Sequence, residues 1–326
     1  MNTTSNNGRV PFISKIAYGM GDVGCNFSWM FVSNFLMIFY TDVFGIGMSA
    51  VATLMLVSRI WDAVNDPIIG TLTDKTHTRW GRFRPWLLFG APITAIILML
   101  TFWAHPDWSQ TAKIVYMAVT YCILVLGYTC VNLPYGTLCG AMTQDIDERA
   151  KLNTSRSVSA MIAIGVLNII TVPLVTFLGK GNAQFGYLAV AIIYGIIFAA
   201  CHLFCFSKTK EVVEVPVGQK LPLSVQLKSV LKNRPYQLAI LGQFLFGFIL
   251  YGRNADILYY FTYVEGSATL FSYYSMAIIL PSIAGAACFP WIFRKTGNKG
   301  YAEDVFALLS GIFMEMLYYY SPNTSP

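Results

Sequence analysis

Along the chain, apolar residues gather into nine long runs separated by shorter polar ones, at roughly residues 16–40, 47–72, 86–104, 112–138, 157–178, 185–206, 236–257, 268–293 and 301–320. A helix needs about 20 residues to cross a hydrocarbon core of about 30 Å, and these runs meet that length. The pattern predicts an all-α, polytopic membrane protein. The ninth run is the poorest: Glu303 and Asp304 open it, and Glu315 lies inside it. The longest polar interruption, residues 207–235, carries Pro216, Pro222 and several lysines, and it follows the sixth run. It divides the chain into a complete six-helix bundle (1–206), a central loop (207–235) and a partial bundle of about three helices (236–326).

Composition sharpens the class. The chain is 56% hydrophobic and 12% charged, against about 25% charged for a soluble domain. Disordered and collagen-like classes are excluded by the same figures. The net charge of +6 could suggest a nucleic-acid partner, but its placement argues for topology. With the N-terminus cytoplasmic, 18 of the 22 Lys and Arg residues fall on the cytoplasmic side; Lys113 and Lys180 fall opposite, and Arg59 and Arg253 lie within spans. That asymmetry fixes orientation by the positive-inside rule. The expected surroundings are lipid, in a bacterial-type cytoplasmic membrane, with no nucleic-acid partner. Residues 1–14 contain no apolar stretch before a cleavage site, so no removable signal peptide is expected.

Two short basic turns suggest a repeat. The second run is followed by Asp74-Lys75-Thr76-His77-Thr78-Arg79-Trp80-Gly81-Arg82-Phe83-Arg84-Pro85, and the eighth by Arg294-Lys295-Thr296-Gly297-Asn298-Lys299-Gly300. They lie six spans apart. Many secondary transporters are built from repeated six-helix halves with the substrate site at the midplane between them. On a six-plus-six plan the second half falls three spans short, which points to a truncated, frameshifted or partial copy.

The densest chemistry lies in the second run, at Arg59-Ile60-Trp61-Asp62-Ala63-Val64-Asn65-Asp66-Pro67. A carboxylate in hydrocarbon costs about 2.5–3.5 kcal/mol on insertion scales. Positions 59, 62 and 66 are spaced i, i+3, i+7 and share one helix face. Two carboxylates one turn apart cannot both stay ionised cheaply, and a bound Na⁺ or a shared proton would resolve the conflict. Hard cations prefer oxygen ligands. Asp62 and Asp66, with Asn65 beside them, are therefore the candidate cation site. The competing reading is a helix–helix ion pair to Arg59 or Arg253.

The first run opens with Tyr18-Gly19-Met20-Gly21-Asp22-Val23-Gly24-Cys25-Asn26-Phe27-Ser28-Trp29. Its three glycines allow close helix approach. Asp22 and Asn26 share a face that Trp29 and Ser33 continue. Polar groups beside an indole suit a sugar, whose apolar ring face stacks while its hydroxyls bond; alternatively, Asp22 merely lies near the cytoplasmic end. The fourth run holds Tyr128-Thr129-Cys130-Val131-Asn132-Leu133-Pro134-Tyr135-Gly136. Pro134 frees a backbone carbonyl. Thr129 and Asn132 offer oxygens, as cavity lining or as interhelical glue worth about 0.6 kcal/mol per pair. Arg253 and Asp256, at i, i+3 in the seventh run, are a candidate intramembrane charge pair. Arg156 is placed at the start of the fifth run, where snorkelling is the default.

Other chemistries find little support. The seven cysteines form no C-x-x-C and mostly sit in apolar runs, as buried thiols do. His77, His105 and His202 are scattered, and no Walker A motif is present. Gly19-Met20-Gly21-Asp22 fits the G-x-G-D pattern of membrane aspartyl proteases, but no earlier span supplies the second acid.

The second-run motif, together with Arg79-Trp80-Gly81-Arg82-Phe83-Arg84-Pro85-Trp86 and Tyr128-Thr129-Cys130-Val131-Asn132-Leu133-Pro134-Tyr135, resembles the glycoside–pentoside–hexuronide:cation symporters. These are the melibiose and glucuronide permease group of the major facilitator superfamily, and the resemblance covers residues 10 to about 300. It implies a major facilitator-type fold of twelve helices in two bundles, with alternating access. It implies that Asp62, Asp66 and Thr129 form the coupling-cation site and that Arg156 matches an arginine at the cytoplasmic gate. Asp22, Asn26, Trp29, Tyr128, Asn132 and Arg156 then form the substrate side. The melibiose-type pattern has aspartates at the positions of Asn26 and Asn132 and a tryptophan at that of Gly136. The amides here are closer to the pentoside and glucuronide branches. The lysine on helix eleven of that family has no counterpart.

The expected function is a secondary active symporter that couples Na⁺ or H⁺ entry to uptake of a glycoside, pentoside or hexuronide. No cofactor beyond that cation is called for. Two rival classes remain: a non-transporting remnant or interaction protein, and a membrane-embedded enzyme, for which only unassisted acids are on offer.

Overall fold

The computed structural model describes residues 9–213, scattered positions between 232 and 247, and residues 273–274. By contacts the chain divides into Met1–Ser275 and Met276–Pro326, and all described residues belong to the first unit. They form six long helices: α1 (Phe12–Ile38), α2 (Met48–Lys75), α3 (Arg84–Thr101), α4 (Gln110–Met142), α5 (Ile146–Gly179) and α6 (Ala183–Lys208). A π-helical turn, Phe39–Val43, continues α1. Five of these stretches are long and apolar enough to cross a membrane. The exception is α2, whose middle carries Arg59, Asp62 and Asp66.

Local chemistry sets the helix ends. Ser109 Oγ accepts from the Ala112 N–H at the start of α4, and Asn182 Oδ1 from the Phe185 N–H at the start of α6. At α5, Asp145 Oδ1 accepts from Asp147 and Glu148 N–H at 2.8 and 3.1 Å. These side chains satisfy donors that a first turn leaves free. The Asp145 cap starts α5 at Ile146, well before the apolar run at 157. Arg156 is therefore ten residues inside the helix, not at its boundary. The apolar pattern marks lipid, whereas the helix extends into its polar approach.

α1 is the centre of the packing. It lies against both α5 and α6; α3 packs on α4 and α6, and α2 leans mainly on α4. The glycines of α1 make this possible. A Cβ at Gly19 would lie 2.6 Å from Ser155 and Ser159 Oγ of α5, and one at Gly24 would lie 3.0 Å from the His202 ring of α6. Gly21 faces the Tyr135 ring of α4, whose hydroxyl donates to the Tyr18 carbonyl at 2.5 Å. The opposite half is an aromatic core of Phe31, Phe35, Phe39, Phe102 and Tyr194. The outside is apolar at helical spacing: Phe89, Ile93, Ile96 and Leu100 on α3, and Val158, Ile162 and Val166 on α5, are exposed. In water such stripes would be aggregation sites; their apolar character suits lipid or further apolar helices.

One end of the molecule is strongly basic. Buried Glu148 takes Lys15 at 2.7 Å, Lys151 at 2.8 Å and the Val10 N–H at 2.9 Å. The Glu211 carboxylate, just past α6, accepts from the backbone N–H of Arg82, Phe83 and Arg84 at 2.8, 2.8 and 2.9 Å. Gly81, at φ 107°, allows that approach: a Cβ there would lie 2.5 Å from the carboxyl. Arg84 Nη2 donates to the Phe206 carbonyl at 2.7 Å. Val212 and Val213 N–H both reach the Ala141 carbonyl at 2.9 Å. The stretch after α6 is thus a strap across α4 and the α2–α3 turn.

Candidate functional site

Two polar clusters meet on α4. The first is built by α1, α4 and α5. Arg156 Nε donates to Asp22 Oδ1 at 2.9 Å, and Asn26 Nδ2 reaches the Asp22 carbonyl at 2.8 Å and Oδ2 at 3.3 Å. Asp22 is thus paired and buried, while the Arg156 side chain keeps 35% exposure. The guanidinium lies 5.3 Å from the centre of the Tyr135 ring. A side chain starting at Gly136 would have its Cβ 4.0 Å from Arg156 Nη1, so glycine leaves that side of the arginine open. Trp29 and Tyr128 stack with centroids 4.6 Å apart and planes 23° apart. Asn132 lies one turn along α4 and meets Cys25 Sγ at 3.5 Å.

The second cluster lies between α2 and α4. Asp62 is partly exposed, near enough to Asp66 and Arg59 to feel both charges and to Thr129 for a hydroxyl–carboxylate contact. Asp66 and Arg59 are exposed along the flank of α2. Asn65 turns away, 3% exposed in the packed face with Ser58 and Ile69, and its Nδ2 has no partner. The Trp61 indole N–H donates to the Cys122 carbonyl at 3.2 Å, fastening α2 to α4. The donor set gathered at Asp62 is two carboxylates and a hydroxyl, all hard oxygens of the kind that suit a small cation. Among the described residues no group of three His, Cys, Asp or Glu converges as a transition-metal site would require.

Of the residues singled out from sequence, Asp22, Asn26, Trp29, Tyr128, Asn132 and Arg156 fall in the first cluster, and Asp62, Asp66 and Thr129 in the second. Arg253 and Asp256 lie outside the described residues. Three participants carried no clear signal. Tyr135 has no sequence feature that sets it apart within its motif. Cys25 and His202 pack behind the first cluster, with Sγ to Nε2 at 3.4 Å. A lone histidine in an apolar run was the available hint, and i, i+3 spacing within one helix cannot reveal a partner on another.

Residues 17–323 match the protein family described as MFS/sugar transport protein. The chain belongs to this family. Within the MFS/sugar transport family its relatives agree with the symporter resemblance. The chain is 34% identical over 294 residues to the isoprimeverose transporter of Lactiplantibacillus pentosus, covering 89% of this chain and 61% of that protein. It is 32% identical over 294 residues to the glucuronide carrier protein homolog of Escherichia coli K12, covering 90% and 64%. The provisionally named glycoside/cation symporter YagG of the same strain is 37% identical over 274 residues, covering 84% and 59%. The chain therefore spans about three fifths of the length of these relatives. It is an integral membrane protein of a transporter family, not of an enzyme family.

Proposed function

We propose that the protein is a secondary active symporter that couples entry of Na⁺ or H⁺ to uptake of a glycoside, pentoside or hexuronide. The observation that carries this reading is the sharing of α4. Thr129 faces the acids of α2, while Tyr128 and Asn132, one residue before and three after, serve the cluster on α1 and α5. A cation between Asp62 and Asp66 relieves their repulsion and draws Asp62 onto Thr129. That sets α4 in the rotation that presents Tyr128 and Asn132 to sugar. By linkage, sugar tightens the cation by the same factor. Trp29 and Tyr128 offer aromatic faces to a sugar ring, and Asp22, Asn26, Asn132 and Arg156 its hydroxyl partners. Paired with Asp22, Arg156 adds no net charge, and its partly exposed guanidinium, beside Tyr18 and Tyr135, offers N–H donors to the substrate.

We assign residues 1–206 to the first bundle of a major facilitator-type fold, 207–235 to the central loop, and 236–326 to about three helices of the second bundle. Cation and sugar leave when the bundles rock about the midplane site. The basic end is cytoplasmic by the positive-inside rule, in a bacterial-type inner membrane. The names of the relatives supply the first probes: isoprimeverose and a glucuronide, offered to membrane vesicles under an inward Na⁺ or H⁺ gradient. Accumulation under one gradient and its loss in Asp66→Asn are the expected results. An Asp66→Asn protein that still concentrates sugar would overturn the coupling assignment.

A further inference from the structure

Behind the sugar-side cluster lies a buried relay that the transport scheme does not use. His202 of α6 is fully buried. Its ring is held between Phe198, centroids 4.4 Å apart, and the edge of Tyr135 at 5.9 Å. Gly24 faces it across α1, where a Cβ would lie 3.0 Å from the imidazole. His202 Nδ1 lies 2.8 Å from the Phe198 carbonyl, which only accepts, so Nδ1 carries the proton. In the neutral imidazole Nε2 then presents a lone pair, and Cys25 Sγ stands 3.4 Å from it. The same sulfur lies 3.5 Å from Asn132 Oδ1, a second acceptor competing for its proton, and also meets Tyr128.

A thiol has one proton. Donated to His202 Nε2, it leaves sulfur only lone pairs for α4. Asn132 Oδ1 would then face a sulfur lone pair, a repulsion that a flip of the amide relieves: Nδ2 donates to sulfur and the carbonyl turns toward the open side, with the heavy-atom positions unchanged because the two ends of an amide are interchangeable in shape. We propose that His202 and Cys25 are positioning residues that decide which end of the Asn132 amide meets the sugar, and thereby set which sugar hydroxyls are accepted. The proposal rests on the transport reading above and deepens it. A site that hydrogen-bonds a hydroxyl discriminates strongly, because a mismatched partner leaves a buried polar group unpaired.

The test has two arms on the full chain. In purified protein with ¹⁵N-labelled histidine, His202 should show the Nδ1-protonated tautomer. Cys25→Ala should shift its Nε2 resonance while leaving His77 and His105 unmoved. In vesicles, Cys25→Ala should raise KM for isoprimeverose about tenfold with Vmax unchanged, and should narrow the preference between sugars epimeric at one hydroxyl. Cys25→Ser, which keeps one donor and its lone pairs, should restore both, and packing alone would not predict that rescue. His202→Gln probes the relay from its other end if Cys25→Ala fails to fold. The opposite tautomer, or normal uptake with unaltered KM and preference in Cys25→Ala, overturns this proposal alone. No uptake of any sugar by the unaltered chain overturns the transport reading, and this proposal with it.

Discussion

Arg156 from α5 and Asn26 from α1 both reach the carboxylate of Asp22, so one side chain governs a junction of two helices. Removing one partner of a fully buried ion pair costs about 3–5 kcal/mol, most of it the stranded charge. Arg156 retains 35% exposure, so for Asp22→Ala we expect about 2 kcal/mol, read as a lowered melting temperature in detergent. The double variant Asp22→Ala/Arg156→Met should regain most of that stability, because no charge is stranded, yet should not regain sugar uptake. At this scale the sequence showed which residues were out of place in hydrocarbon, and it showed their faces. Their partners were hidden: Asp22 and Arg156 are 134 positions apart. Asn65 is the instructive case. It stands beside the acids in the motif, but the helical rotation carries it onto the buried face of α2.

Among elements, the α2–α3 turn was legible as a basic, glycine-containing cytoplasmic loop, but its partner was not. Glu211 lies 127 to 129 positions from the three N–H groups it caps. Charge-assisted bonds to the N-terminus of α3 combine capping with a favourable dipole interaction. Glu211→Ala should destabilise the protein by about 2 kcal/mol, a value for losing these bonds while leaving partly buried donors without a protein acceptor. Glu211→Gln should lose less, because its carbonyl oxygen still accepts. Hydrogen exchange at residues 76–84 should accelerate in Glu211→Ala, with the helix interiors unchanged. Unaltered exchange would mean that the strap contributes nothing there. The glycines of α1 tell a similar story. Their spacing announced close helix approach, while the identity of each neighbour, α5 at Gly19, α4 at Gly21 and α6 at Gly24, came from packing.

At the scale of the whole molecule, the termini of α1, α5 and α6 and the α2–α3 turn share one basic end, joined by Lys15–Glu148, Ser14 Oγ to the Lys208 carbonyl, and Glu211. The other end is tied by Lys113 Nζ to the Phe44 carbonyl at 3.2 Å and Gln110 Nε2 to the Gly45 carbonyl at 3.0 Å. We expect the basic end to be cytoplasmic. In a background lacking reactive native thiols, Ser109→Cys and Asn182→Cys should be labelled by an impermeant thiol reagent added outside cells whose outer membrane has been removed. Thr78→Cys and Thr154→Cys should be labelled only after the inner membrane is opened. The reverse pattern would invert the topology and the assigned direction of transport.

The hydrophobic runs alone determined that the chain is helical and lives in lipid, because the thickness of the bilayer and the cost of charge within it leave few other arrangements. They also located the acids and amides whose burial demands a function. Tertiary structure decided which of those groups meet. It turned Asn65 away from Asp62 and Asp66, set Arg156 onto Asp22, and brought Cys25 and His202 behind Asn132. Those are contacts between helices, and helix periodicity encodes a face without naming what lies opposite.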